Sequence, residues 1–243
     1  MRSKRRKGSP ISKTKKGKQT LKQTANKQNN SVIIAVILVL VSLLVAVKLL
    51  SQVVTEHYDK EIIVCLDAGH GGSDVGATST DGKRYEKDDN LNLTLKVRDE
   101  LERMGVRTIL TREDNSTVAL KDRCRTANKK RADIFVSLHR NSSTTGTGFE
   151  AWIAKRPKGD EKDTAKQLVK ALSDATGLEN RGVKSGYRDK TANNYYVNAN
   201  TNMPSILLEV AFISSEEDNK VFDEKTDVMA NEIAKVIYDA VQI

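Results

Sequence analysis

The chain has 243 residues, 38% of them hydrophobic and 30% charged, and carries a formal net charge of +9. Eleven cations and no acid fall within residues 1–30, so the remainder, +9 less eleven, is formally −2. The isoelectric point near 9.4 therefore describes a tail, and it removes the case for nucleic-acid binding by the folded part.

Behind this basic tail, residues 1–31, lies an apolar run over 32–50, interrupted only by Ser42 and by Lys48, a side chain able to snorkel. At about 1.5 Å per residue it rises roughly 29 Å, the thickness of a bilayer's hydrocarbon core. It is read as a transmembrane signal anchor. The cations ahead of it place the amino terminus in the cytoplasm and the rest of the chain outside. A cleaved signal peptide is the rival reading, which would release a secreted form, but the run is longer than a usual apolar h-region and no A-x-A-like site follows Leu50. Residues 51–60 are expected to form a polar linker with a maximal reach of about 35 Å. Residues 61–243 then make one domain, large enough to bury a core without staples. Its two cysteines, Cys65 and Cys124, can pair in an exported domain, but are expected to remain free thiols packed as small hydrophobes.

Within that domain strand-like and helix-like segments alternate, the pattern of an α/β layer fold. Strands are expected over 62–66, 106–111, 132–138, 149–153 and 205–210. The helical stripes Leu93, Val97, Leu101, Met104 and Leu120, Cys124, Ala127 separate the first three strands. Ala165, Leu168, Val169 and Leu172 form a further apolar face that Gly177 ends, and Val228, Ile233, Val236, Ile237 and Ala240 mark a terminal helix. Residues 180–202, rich in Asn, Gly and Tyr, read as an irregular stretch that supplies substrate-contacting loops.

Two of the three histidines, His70 and His139, stand where β-branched runs end, at the carboxyl edge of the expected sheet. Hydrolytic zinc needs three N/O ligands and one open position, and a further carboxylate must take a proton from water. His70, His139 and Glu86 meet the first need in kind, and Glu209, inside an apolar strand, meets the second. Spacings of 16 and 53 residues between the three ligands exclude a contiguous metal motif. The plain alternatives stay open: satisfied polar loop residues for the histidines, and for Glu209 a buried ion pair with Arg112 or Arg123. Glu150 is assigned that structural explanation. The glycines at 69, 71 and 72 fail the dinucleotide fingerprint, because Asp74 occupies its third glycine position. Ser137, Ser142 and Ser143 lack a nucleophile elbow, which argues against serine catalysis.

Four blocks, in order, carry a resemblance. They are Asp67-Ala68-Gly69-His70-Gly71-Gly72-Ser73-Asp74-Val75-Gly76-Ala77, Glu86-Lys87-Asp88, Ser137-Leu138-His139-Arg140-Asn141-Ser142, and residues 203–214 around Glu209. Together they resemble the zinc-dependent N-acetylmuramoyl-L-alanine amidases of the type-3 class. The resemblance implies a mostly parallel central sheet flanked by helices, Zn2+ on His70, Glu86 and His139, Glu209 as the catalytic carboxylate, and peptidoglycan as substrate. It leaves any activator protein open, and so too a silent wall-binding module or a zinc peptidase acting within the stem peptide. Val75, Arg140 and Ala211 depart from the family pattern, Arg140 as a possible positive rim to the site and Ala211 as altered packing behind Glu209. The long inserted helix by which some relatives block their site is missing, which implies a more open cleft. Asp67 or Asn141 is expected to orient a ligand imidazole.

Overall fold

The computed structural model describes residues 13–58, 61–189 and 193–242. The chain divides into two units, residues 1–60 and 61–243. The described residues of the first form one helix, α1 (Lys13–Tyr58), whose segment Asn29–Gln52 is long and apolar enough to cross a membrane, with a mean hydropathy of 3.1. The expected span over 32–50 lies inside it. Residues 51–58 of the expected linker over 51–60 continue the helix, and 59–60 lie outside the described residues.

The second unit is built around six strands, β1 (Ile63–Ala68), β2 (Arg107–Leu110), β3 (Ile134–Asn141), β4 (Phe149–Ile153), β5 (Asn180–Ser185) and β6 (Ser205–Phe212). They form one sheet in the order β2-β1-β3-β6-β4-β5. The first four in that order run parallel, β4 runs antiparallel to β6, and β5 follows β4 in parallel. The sheet is mostly parallel, as expected, and is made mixed by the single antiparallel pairing of β4 with β6, which reverses the pair at one edge. The helices are α2 (Glu86–Arg103), α3 (Leu120–Lys130), α4 (Glu161–Thr176), α5 (Tyr196–Asn200) and α6 (Glu216–Val241). The stretch 180–202, read as irregular, contains β5 and α5. Its strand residues Asn-Arg-Gly-Val-Lys-Ser are partly exposed at the sheet edge, so no apolar alternation marks them.

Side chains on a strand alternate between faces. Val64 and Leu66, Val136 and Leu138, Ile206 and Leu208 point to one face, where they bury against Leu93 and Val97 of α2, Leu168 of α4 and Ile233 of α6. Cys65, Phe135 and Leu207 point to the other, against Cys124 and Ala127 of α3 and Val197 of α5. A sheet covered on both faces explains why its strands read as continuous apolar runs. The same alternation places Asp67, Ser137, His139, Asn141, Glu150 and Glu209 on the α3/α5 face. There His139 is in register with Glu209, and Glu209 with Glu150, on three neighbouring strands. The register of β3 and β6 slips after His139, and Ala211 adopts a φ of 62°, the left-handed region that favours glycine. Glycine takes that conformation most readily, and Ala211 adopts it with a Cβ.

Candidate metal centre

At the end of β1 the chain turns sharply through Gly69, His70, Gly71 and Gly72, and His70 itself has a φ of 61°. Two buried arginines hold this turn by its carbonyls. Arg112 donates to the oxygens of Ala68 and Gly69, both at 2.9 Å, and Arg123 to those of Ala68 at 2.6 Å and His70 at 2.7 Å. Arg123 also pairs with Asp67 at 2.7 Å, whose other oxygen accepts from Ser137 Oγ at 2.6 Å. Asp67 therefore braces strand ends and does not orient an imidazole. Asn141 accepts from Arg188 and from the amide of Ser142, so it does not orient one either.

Glu86 opens α2, a position where the helix dipole favours a carboxylate. Its Oε1 lies 2.9 Å from His139 Nδ1 and its Oε2 3.2 Å from His70 Nε2. The amides of Arg140 and Ala77 donate to the same two oxygens, at 3.2 and 2.8 Å. His70 Nδ1 is 2.8 Å from Asp74 Oδ2. Burial opposes the ionised form of Glu86, yet the two imidazoles outweigh it and hold this carboxyl well below the usual range. Burial likewise opposes protonated His70, but Glu86 and Asp74 raise its pKa to about 9.

One ligand atom from each of His70, Glu86 and His139 can be chosen so that all lie within 4.8 Å of one another. Two imidazole nitrogens and a carboxylate form the donor set of hydrolytic zinc, and the hydrogen-bonded outer nitrogen of His70 has the arrangement usual for a ligating histidine. The residues fit a metal ion. Two glycines leave room for them. A Cβ at Gly69 would lie 2.3 Å from His139 Cε1, and one at Gly76 would lie 2.6 Å from Glu86 Oε2.

Glu209 is 6% exposed and in register with His139. Burial pushes its pKa up to about 7; Glu86 and Glu150 add to the rise, and His139 and Arg188 oppose it. Its cationic neighbour is Arg188, with Nη2 at 3.2 Å from Oε1. The expected partners Arg112 and Arg123 are committed to the turn after β1. Glu150 has the structural role assigned to it, accepting from Trp152 Nε1 at 3.0 Å and Arg181 Nε at 3.1 Å, and pairing with Lys184. Arg140 gives no positive rim. It is 2% exposed and turns to the opposite face, where it pairs with Asp89, donates to Asn219 Oδ1 at 2.7 Å and covers the Phe222 ring at 4.1 Å. Cys65 and Cys124 are free and buried, as expected, and burial pushes both thiols up.

A cleft of about 920 Å³ opens over the cluster, lined by the metal-ligand candidates, Glu209, the start of α3, Tyr187–Asp189 and residues between Asn194 and Asn200. Asp74 and Arg188 are the residues beside the cluster that sequence reasoning missed. The first sits one helical-turn spacing after His70 and is visible as a carboxylate in the same loop. No local signal marks the second.

The family model described as N-acetylmuramoyl-L-alanine amidase matches residues 64–242. An endolysin of Bacillus phage SPP1 is 37% identical over 176 residues, which cover 71% of this chain and 62% of the phage protein. The N-acetylmuramoyl-L-alanine amidase LytC of Bacillus subtilis (strain 168) is 30% identical over 72% of this chain and 34% of its own length. The chain thus spans less than two thirds of either relative. The crystal structure of an N-acetylmuramoyl-L-alanine amidase from Clostridium difficile 630 superposes with a TM-score of 0.68 at 31% identity, covering 74% of this chain and 97% of that one. With the four sequence blocks meeting at one cleft and the match running the length of the folded unit, the chain belongs to the N-acetylmuramoyl-L-alanine amidase family.

Proposed function

We propose that the chain is a zinc-dependent peptidoglycan hydrolase that cuts the amide between the lactyl group of N-acetylmuramic acid and L-alanine of the stem peptide. The convergence of His70 Nε2, Glu86 and His139 Nδ1 beside Glu209 carries this reading. Zinc on the three ligands supplies Lewis acidity, which makes water a stronger acid and the scissile carbonyl a better electrophile. Glu209 accepts the proton of the attacking water and delivers it to the departing amine. In the metal-free chain burial raises its pKa to about 7, away from the usual carboxylate range and toward that of a group that takes a proton and gives it back near neutral pH. Asp74 holds the outer nitrogen of His70, so the imidazole keeps its inner nitrogen turned to the cluster. Arg188 steadies the Glu209 carboxylate.

The apolar helix over Asn29–Gln52 anchors the protein in a membrane. The cations ahead of it keep the amino terminus in the cytoplasm and carry the domain to the side where wall polymer lies. Digestion of purified peptidoglycan by the zinc-loaded full chain is expected to release peptides beginning with L-alanine. Glu209→Gln is expected to retain zinc and lose about 10²–10⁴ in turnover. Products cut within the stem peptide would overturn the amidase reading, and full activity of Glu209→Gln would overturn the assigned base.

A further inference from the structure

Among the described residues three arginines line the cleft, Arg123, Arg140 and Arg188. Arg123 is buried and committed to Asp67 and the turn after β1. Arg140 is buried toward the other face of the sheet. Only Arg188, whose side chain is 46% exposed, meets the solvent of the cleft. Its Nη2 donates to Asn141 Oδ1 and lies 3.2 Å from Glu209 Oε1 and 3.9 Å from Glu150 Oε1. These three acceptors meet one nitrogen, and the Tyr195 hydroxyl also bonds the guanidinium, a group that carries five donors in a rigid fork.

Its place in the sheet is as telling as its exposure. Of the three acceptors, Asn141 shares β3 with His139, while Glu209 and Glu150 lie in register with His139 on β6 and β4, one and two strand spacings away. That is roughly 5–10 Å, the length of one or two residues of extended peptide. The guanidinium's segment is held where it leaves β5 and enters α5. The Gly186 amide donates to the Ile153 carbonyl at 3.0 Å, the Tyr195 amide to that of Gly186 at 3.2 Å, and the rings of Tyr187 and Tyr195 lie 4.6 Å apart. Elsewhere the charged groups facing the cleft's solvent include the exposed Asp74, which repels an anion.

We propose that Arg188 is a specificity-determining residue that takes a free carboxylate on the stem peptide, on the residue that follows L-alanine. The proposal rests on the amidase reading for the placement of the scissile bond. A planar guanidinium already steadied along one edge offers a pre-set fork to a carboxylate, which a carboxamide cannot match in charge.

The test compares two muramoyl peptides that differ only in bearing an α-carboxylate or a carboxamide on the residue after L-alanine. With the zinc-loaded full chain in detergent, kcat/KM is expected to favour the acid by about tenfold or more, chiefly through KM. Arg188→Ala abolishes that preference, Arg188→Glu inverts it, and Arg188→Lys keeps part of it. Calorimetric binding of both peptides to the metal-free wild-type chain gives the same ranking without turnover. Equal kcat/KM or equal affinity for the two peptides in the wild type overturns the inference. So does Arg188→Ala lowering both substrates alike, the result expected if the arginine only steadies Glu209. A wild-type chain that binds the acid preferentially but liberates no L-alanine peptide sinks the amidase reading while leaving the carboxylate site in place.

Discussion

In the metal-free chain His70 keeps its proton to about pH 9, because Glu86 and Asp74 outweigh the burial that would otherwise strip it. A metal ion must displace that proton before His70 can ligate. At pH 7, two pH units below the midpoint, removing it costs on the order of 3 kcal/mol, or about a hundredfold in apparent affinity. Zinc affinity is therefore expected to climb about tenfold per pH unit between neutrality and pH 9, with close to one proton released from His70 per ion. Titration calorimetry of the metal-free full chain, in two buffers of different ionisation heat, counts the protons; chelator competition across the same range gives the slope. Stability moves the other way. A histidine whose folded pKa is raised from 6.5 to about 9 stabilises the fold fully below pH 6.5 and loses that contribution as pH rises through 9. The melting temperature of the metal-free chain should fall across that window, and that of the zinc-loaded chain should not. Asp74→Asn removes one of the two supporting carboxylates and should flatten both trends. PH-independent affinity without proton release would refute the reasoning.

Two further outcomes concern the scaffold. Asp67→Ala leaves the Arg123 guanidinium buried beside the turn without its counter-ion. It should lower stability by roughly 3–5 kcal/mol, read from the urea midpoint, and an unchanged midpoint would deny the pair its structural role. Ala211→Val puts a β-branched side chain at a buried position with φ of 62° and should cost about 2 kcal/mol or more, whereas Ala211→Gly should be tolerated. Thermal melts of the two variants decide this, and equal melts would mean the backbone there carries no strain.

The layer fold could be read from the sequence because strands buried on both faces must be apolar throughout, and those around Val64, Val136 and Leu207 are. His70 and His139 were recognisable because a titratable group directly after such a run has few structural reasons to be there. The reversed direction of β4 and β5 was not, since alternation says nothing about which way a neighbouring strand runs. Arg188 was equally hidden. It is 21 residues from Glu209 in sequence and 47 from Asn141, within a stretch whose polar composition fits any surface loop. Arg140 misled for a related reason: in a β-strand one step along the chain moves a side chain through the sheet, so the neighbour of a cleft residue faces the opposite core.

Gly69 and Gly76 take part in the cluster through what they lack. Neither donates to an ion or touches a proton, yet a single methyl group at either would stand where the His139 ring or the Glu86 carboxylate must be. The proposed metal site thus depends as much on two vacant volumes as on three donors. A redesign that preserved every ligand while filling either space would keep the inventory and lose the coordination geometry.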